Sequence, residues 1–339
     1  MPGSRLRRPP AALALGLAVL VGAIGSAGVL VAARERSGDV RTVDGLSEVL
    51  QEQPNDAPAE NFLLVGSDTR ENIDPDDPNA EAIGTSADVV GRRSDTMMIL
   101  RREQGGGAAL LSLPRDLWVP IAGRGESSRL NSAYNDGPAV LAETITDALG
   151  IPIQHYVEVD FVGFQRLVDA IGGVEICSFY AAQDGNSGLR LNPGCQNLKG
   201  SQALAFARAR HYEEFVDGDW RTDQTGDIGR MARQQQFLRN AVEQLLDEVQ
   251  RDPFSLNRVL TAATSSMRTD GSLDLIDAAG ALREAAVVGL STYSLPVVGR
   301  EIDDKSVVEL GDGAEQILDY FRGIGAAPAT TTTSAVVPD

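Results

Sequence analysis

The feature that most restricts the fold is a repeated change of hydrophobic period along residues 61–297. Residues 61–66 form a short apolar run ending in glycine, 96–101 and 108–113 flank the Gly105-Gly106-Gly107 turn, and 154–160 alternate with His155, Val157 and Val159 on one face. Apolar runs bounded by turn residues predict strands. Helical spacing predicts helices over 138–149, 161–171, 201–207, 227–251, 256–265, 273–288 and 314–321, with a late strand at 291–297. A hairpin mixed with helical crossovers predicts an α/β fold: a mixed central sheet with helices on both faces, α/β/α. At 339 residues and 42% hydrophobic content, the chain can close a core of that size.

The flanks read differently. Arg5, Arg7 and Arg8 precede an uncharged run over 11–33, long enough to cross a bilayer as one helix and oriented with the amino terminus in the cytoplasm. A cleavable signal peptide is the rival reading, but its apolar core normally spans only about 7 to 15 residues. The expected organisation is therefore a cytoplasmic tail (1–10), a transmembrane anchor (11–33), an extracytoplasmic stalk (34–60), a catalytic domain (61–325) and a disordered Ala-, Pro- and Thr-rich tail (326–339). Beyond such an anchor, Cys177 and Cys195 read as a structural disulfide in preference to a reactive or metal-binding pair, because an oxidising compartment lets them join. The formal charge of -18 argues against a nucleic-acid partner, which a basic footprint would attract.

Against that acidic background, arginines gather locally. Ala207-Arg208-Ala209-Arg210 precedes Gly226-Asp227-Ile228-Gly229-Arg230-Met231-Ala232-Arg233-Gln234-Gln235. Guanidinium forks match phosphate and pyrophosphate oxygens. On a helix starting at Asp227, Met231, Leu238, Val242, Leu245 and Val249 form one apolar stripe, with Asp227, Arg230, Gln234 and Arg233 along its edge. Arg208 and Arg210 would share a face only in extended chain, so the Ala-rich helix is expected to end near Ala207. Their bland alternative is pairing with Glu213, Glu214 or Asp217. Further polar residues sit where strands begin or end: Ser67-Asp68, Arg93-Ser94-Asp95-Thr96 and Pro114-Arg115-Asp116, with Arg129 in a following loop. Singly, Asp68 and Asp95 could merely cap turns, and Arg115-Asp116 could be a surface pair. Together they describe two carboxylates and several arginines at one sheet edge. Magnesium, for which manganese can substitute, needs only one or two carboxylates beside water and substrate oxygens.

Other chemistries lack their residues. There is no phosphate-binding Walker loop, no G-x-G-x-x-G, no G-x-S-x-G and no C-x-x-C. The two histidines serve no visible triad: His155 reads as a packed strand residue and His211 as a neighbour of the arginines.

The chain resembles the LytR-CpsA-Psr family of bacterial cell-wall enzymes. The resemblance rests on Phe62-Leu63-Leu64-Val65-Gly66-Ser67-Asp68, Arg93-Ser94-Asp95-Thr96-Met97-Met98, Ser112-Leu113-Pro114-Arg115-Asp116, Leu130-Asn131-Ser132-Ala133-Tyr134, Ala205-Phe206-Ala207-Arg208-Ala209-Arg210 and Asp227 through Gln235, in family order. It implies a membrane-anchored phosphotransferase that moves a glycopolymer from a polyprenyl pyrophosphate carrier to peptidoglycan. It also implies that Asp68 and Asp95 hold magnesium, that Arg93, Arg115, Arg208, Arg210, Arg230 and Gln234 contact the pyrophosphate, and that Asp227 orders those arginines or accepts a proton. Arg129 stands where the family often has lysine. An insertion over 72–91 and a long acidic spacer over 212–225 carrying Trp220 depart from the pattern. Leu141, Ile145, Leu149, Phe161, Phe164, Leu167, Phe237 and Leu245 are the expected walls of a groove for the lipid tail. The rival functions are a polyprenyl pyrophosphate hydrolase and a non-catalytic lipid-binding anchor or transcription attenuator.

Overall fold

A computed structural model describes residues 41–52, 59–68, 94–104, 107–252, 255–273 and 290–329. The expected membrane segment (11–33), the insertion (72–91), Arg93, all but the first residue of the helix expected over 273–288 and the end of the tail lie outside the described residues. Among those described, no helix is long and apolar enough to cross a membrane.

The strands of the first half are β1 (Arg41–Thr42), β2 (Ala59–Ser67), β3 (Ser94–Glu103), β4 (Ala108–Ser112), β5 (Trp118–Pro120) and β6 (Ser127–Arg129). Helix α1 (Pro138–Leu149) follows, then β7 (His155–Asp160), α2 (Phe161–Ala170), β8 (Val174–Ser178), β9 (Ala182–Asp184), β10 (Leu189–Leu191), β11 (Gly194–Leu198) and α3 (Gly200–Arg208). The remainder is β12 (Glu213–Val216), β13 (Asp219–Thr222), α4 (Asp227–Arg251), α5 (Ser255–Ser266), β14 (Met267–Thr269), β15 (Leu290–Ser294), the hairpin β16 (Val297–Ile302) and β17 (Lys305–Leu310), and α6 (Ala314–Phe321). Local chemistry sets several limits. Pro138 opens α1, where its missing N–H costs nothing, and Gly150 closes it at φ 69°.

Seven strands form the central mixed sheet in the order β1-β14-β7-β2-β3-β4-β15. β2 runs parallel to β7 and antiparallel to β3, β4 is antiparallel to β3, and β15 is parallel to β4. The carboxyl ends of β2, β7, β4 and β15 therefore meet the amino end of β3 along one edge.

Strand periodicity assigns the two faces. Leu63, Val65, Met97, Ile99, Leu111 and Tyr293 enter one core with residues of α1 and α6. Side chains of opposite parity, Ser112, Thr292 and Ser294, instead meet Gln235 and Arg239 of α4. Helices thus cover both faces, as the sequence pattern predicts.

A second core joins α2, α3 and the small β8–β11 strands to Phe237 of α4. The disulfide Cys177–Cys195 fastens it, linking residues directly opposite in the β8–β11 pair with Cα atoms 3.9 Å apart. These short strands escape sequence reading because runs of three residues carry too little periodicity to count.

The two cores split the expected lipid groove. Leu141, Ile145 and Leu149 are sealed under the central sheet, whereas Phe164, Phe237 and Leu245 belong to the second core. The eight residues do not line one surface, because helical spacing alone cannot say which of two cores an apolar stripe faces.

Candidate active site

The site begins with a break in register. Gly66 of β2 faces Thr96 of β3, but the next residue, Ser67, faces Ser94, leaving Asp95 as the extra residue of a β-bulge. A bulge re-aims the side chain it displaces. Here it turns Asp95 toward arginines arriving from three other elements.

Arg115, just past β4, donates from a terminal nitrogen to Asp95 Oδ1 at 2.9 Å, and Arg210, two residues beyond α3, reaches the same oxygen at 2.8 Å. Arg230, one turn into α4, donates to the Asp95 backbone carbonyl at 2.9 Å. Asp227 Oδ1 gathers the same three: it lies 2.8 Å from Arg230, 3.6 Å from Arg115 and 3.8 Å from Arg210. Its geometry is that of a residue ordering arginines. Arg230 is the surprise in burial. The helical-wheel reading places it at the rim of the apolar stripe, yet it is only 2% exposed. It is buried because α4 packs beneath the sheet edge, where a backbone carbonyl and Asp227 replace its water. Its Nε has no hydrogen-bond partner.

These contacts shape the protonation states. Burial works to raise the Asp95 pKa, but Arg210, Arg230 and Arg115 outweigh it and hold the carboxyl below its ordinary value. Burial pushes Arg230 down to about 10; Asp227 resists, while Arg210 and Arg115 add to the push. At neutral pH Asp95 is therefore ionised and Arg230 still charged, with guanidinium groups crowded into a part-dry pocket.

The remaining predicted residues fall into place unevenly. Arg129 extends the array through Asp116, whose carboxylate lies 3.4 Å from Arg129 and 3.2 Å from Arg115. Asp116 is therefore a bridge between two arginines, a role that its adjacency to Arg115 could have signalled. Gln234 donates to Thr96 Oγ1 and to the Ala207 carbonyl, each at 2.9 Å, tying α4 to both β3 and α3. Asp68 follows Ser67 directly, so the sheet places it at the same edge as Asp95. Arg208 departs from expectation: α3 runs through it, and its guanidinium lies over the Phe161 ring at 4.7 Å. The chain turns extended only at Ala209, so Arg208 and Arg210 do not lie together on one extended segment. The acidic residues Glu213, Glu214 and Asp217 do not take up Arg210, whose partners are Asp95 and Asp227.

Sequence reading undervalued Arg233. It donates to Asp223 at 2.9 Å and to the Ala209 carbonyl at 2.7 Å, and its guanidinium lies over the Tyr212 ring at 4.5 Å. It thus fixes both ends of the spacer that separates Arg210 from Asp227. Two glycines make the geometry accessible. Gly226 enters α4 at φ 53°, and a Cβ on Gly229 would collide with Thr225 and Asp223.

Carboxylate oxygens are the donors that hard divalent cations take, and Asp68 with an ionised Asp95 supplies two at neighbouring strand ends. Glu175, Cys177 and Cys195 also approach one another, but the two sulfurs are bonded together and offer no thiolate. Neither histidine enters the arginine cluster: His211 meets Asn186, and His155 starts β7 at the opposite end of the sheet.

This constellation of arginines around a bulged aspartate can be set beside known proteins. The LytR_cpsA_psr family profile matches residues 30–318. The chain belongs to that family. Among its relatives, the Corynebacterium glutamicum "Probable cell wall biosynthesis protein LcpB" is 31% identical over 266 residues, 77% of this chain and 61% of the relative. The Enterococcus faecalis "Polyisoprenyl-teichoic acid--peptidoglycan teichoic acid transferase TagU" is 34% identical over 214 residues, 62% of this chain and 61% of the relative. This chain thus spans about three fifths of either relative's length. The solved "LytR-Csp2A-Psr enzyme from Actinomyces oris" superposes with a TM-score of 0.63 at 25% identity, covering 84% of this chain and 96% of the other.

Proposed function

We propose that this LytR_cpsA_psr family member is a phosphotransferase that moves a phosphate-linked glycopolymer from a polyprenyl pyrophosphate carrier to peptidoglycan, leaving a phosphodiester. The observation that carries the reading is the meeting of Arg115, Arg210 and Arg230 on the single bulged residue Asp95. Cationic forks at that spacing suit a pyrophosphate, and they outnumber what Asp95 and Asp227 alone neutralise. The printed names of the relatives point to the same chemistry: cell-wall biosynthesis for one and teichoic acid transfer to peptidoglycan for the other. A disulfide beyond an expected membrane anchor at residues 11–33 agrees with catalysis outside the cytoplasm.

In this mechanism a peptidoglycan hydroxyl oxygen forms a new bond to the glycan-proximal phosphorus as its proton passes to the Asp227 carboxylate. The bond from that phosphorus to the bridging pyrophosphate oxygen breaks, and its electron pair departs with polyprenyl phosphate. Arg115, Arg210 and Arg230 hold the non-bridging oxygens, with Arg208 and Arg129 as further cations beside them; Arg93 is added to that set by the family resemblance alone. Asp227 and Asp116 keep the guanidinium groups oriented before the substrate arrives, so little reorganisation is needed as charge develops. Asp68 and Asp95 would hold magnesium, or manganese in its place. Such a cation supplies Lewis-acid neutralisation of the phosphoryl oxygens. Phosphoryl transfer asks little covalent chemistry of protein, which fits a site built from positioning and charge.

The deciding experiment supplies carrier-linked glycopolymer, labelled in the sugar, to the full-length chain with and without peptidoglycan. Label covalently attached to peptidoglycan is the expected result. Free glycan phosphate in equal amount under both conditions would instead indicate a hydrolase. Attachment at wild-type rate by an Arg208→Ala, Arg210→Ala variant would return the chain to a binding or regulatory role.

A further inference from the structure

Between the ends that Arg233 fixes, the acidic spacer over residues 212–225 stands clear of the arginine cluster. It folds as the hairpin β12–β13 and joins a four-stranded sheet in the order β10-β9-β12-β13. Its base is closed by the Asp223 N–H donating to the Tyr212 carbonyl at 2.7 Å, two residues after Arg210 and four before Asp227. The hairpin therefore rises directly from the arginine site.

Register orders its outward face. Arg190, Gln183, Glu213 and Thr222 are successive cross-strand partners, one from each strand, and so form a single polar row. Gln183 donates to Glu213 at 2.9 Å, and Thr222 donates to the other Glu213 oxygen at 3.4 Å. One pleat further, on the same face, Phe215 stands opposite Trp220 with ring centroids 5.3 Å apart. Both rings are more than 40% exposed. The neighbouring residues Ala182, Leu189 and Leu191 point the other way, into the second core, so this face is not sheet interior.

We infer that this face binds the acceptor: the sugar backbone of the peptidoglycan strand, stacked on Phe215 and Trp220 and hydrogen-bonded along the polar row. The inference rests on the transfer reading above and names the partner of that reaction. Aromatic faces pack against the C–H faces of pyranose rings, while amide, carboxylate and hydroxyl groups side by side match sugar hydroxyls. Four strands set the row about 14 Å wide, room for a few linked sugars, and the rings stand about 10 Å above the hairpin base. Charge selects among occupants. Five carboxylates and a single arginine lie within residues 212–225. That balance repels anionic lipid surfaces, nucleic acid and the phosphate-bearing donor, but leaves an uncharged glycan backbone indifferent.

The test titrates the full-length chain with a chito-oligosaccharide and with lysozyme-solubilised peptidoglycan, following the heat of binding by calorimetry. Wild type should show a saturable change that Trp220→Ala removes, and Phe215→Ala should weaken binding about tenfold. Trp220→Phe, which keeps a ring, should retain most of the affinity and guards against misfolding of the hairpin. In transfer assays Trp220→Ala should raise the acceptor KM while leaving donor KM and kcat near wild type. Unchanged glycan binding in Trp220→Ala overturns the inference, as does stronger binding of wild type to phosphatidylglycerol vesicles than to glycan. Transfer that proceeds normally in both variants would sink the acceptor surface and leave the transferase standing. Glycan binding through Trp220 in a chain that transfers nothing would sink the transferase and leave the surface standing.

Discussion

The two ends of the central sheet carry opposite kinds of charged cluster. At the amino end of β7, His155 sits between Glu60, 3.0 Å from Nε2, and Asp270, 3.3 Å from Nδ1, and its ring stacks on Phe62 at 5.0 Å. Arg102 closes the far side of Glu60 at 2.5 Å, and Asp270 also accepts the Tyr156 N–H at 2.8 Å. Two cations meet two carboxylates there, so the charges balance. At the opposite end Arg115, Arg129, Arg210 and Arg230 share Asp95, Asp116 and Asp227, four guanidinium groups to three carboxylates, so within these contacts positive charge is left over. A balanced network locks a fold, while a surplus held in place by a few carboxylates is what an incoming anion can use. Burial alone does not separate the two roles; stoichiometry does.

The largest effect should come from the surplus end. Arg210→Ala is expected to lower kcat/KM for transfer about 10²- to 10³-fold, the scale of losing one preorganised charge donor. Removing a cation from a crowded cationic pocket should leave the thermal midpoint level or slightly higher. A collapse of the midpoint with activity intact would reverse the assignment of the two ends. Chelating divalent cations should likewise stop transfer with little change in the melting curve, a comparison that Asp68→Asn should reproduce in part.

His155→Gln should show the converse. Burial works against the charged imidazole, yet Asp270 and Glu60 raise its pKa from 6.5 to about 9. A shift of that size corresponds to about 3 kcal/mol, reduced to about 2 because water still reaches part of the ring. Because the folded-state pKa is the higher one, this stability is complete below pH 6.5 and is lost as pH rises through about 9. Asp270 behaves oppositely: depressed to about 2 from 3.8, it contributes above 3.8 and is lost as pH falls through about 2. Melting curves between pH 6 and 10 should therefore slope downward for wild type and be flatter for His155→Gln, with kcat unaffected at neutral pH. Equal slopes in the two proteins would show that the imidazolium contributes nothing.

That contrast also marks what the chain discloses before folding. Helix α4 was legible from end to end because its 25 residues repeat one stripe, and α1 because proline and glycine punctuate it. The arginines around Asp95 were legible as a set, since guanidinium groups at strand ends in an acidic chain have few other uses. Their depth was not: a helical wheel gives an angle, and only packing against the sheet turns that angle into 2% exposure for Arg230. The bulge at Asp95 was equally hidden, because an extra residue in one strand is defined by its partner strand. The sequence pattern reads His155 as a packed strand residue. It is an ion pair on both sides, since Glu60 and Asp270 are distant in sequence and nothing local announces them.

The finest test lies where the surplus end meets the spacer. Alanine at Gly229 would gain about 1 kcal/mol of helix propensity within α4. Its Cβ, however, would strike Thr225 and Asp223, the turn that Arg233 holds against the helix. Forcing that turn outward should cost about 1 to 3 kcal/mol, leaving Gly229→Ala slightly less stable than wild type. Arg233 would keep its bond to the Ala209 carbonyl, so Arg210 should stay in place while the β12–β13 hairpin loosens at its base. The expected kinetic signature is an acceptor KM raised about threefold with donor KM unchanged, since less than 1 kcal/mol of positioning is lost. Should Gly229→Ala instead melt higher and transfer normally, the turn yields without cost and Arg233 anchors only the arginine side. Should donor and acceptor KM rise together, the hairpin and the arginine array move as one body, and the charge surplus is positioned by the spacer itself.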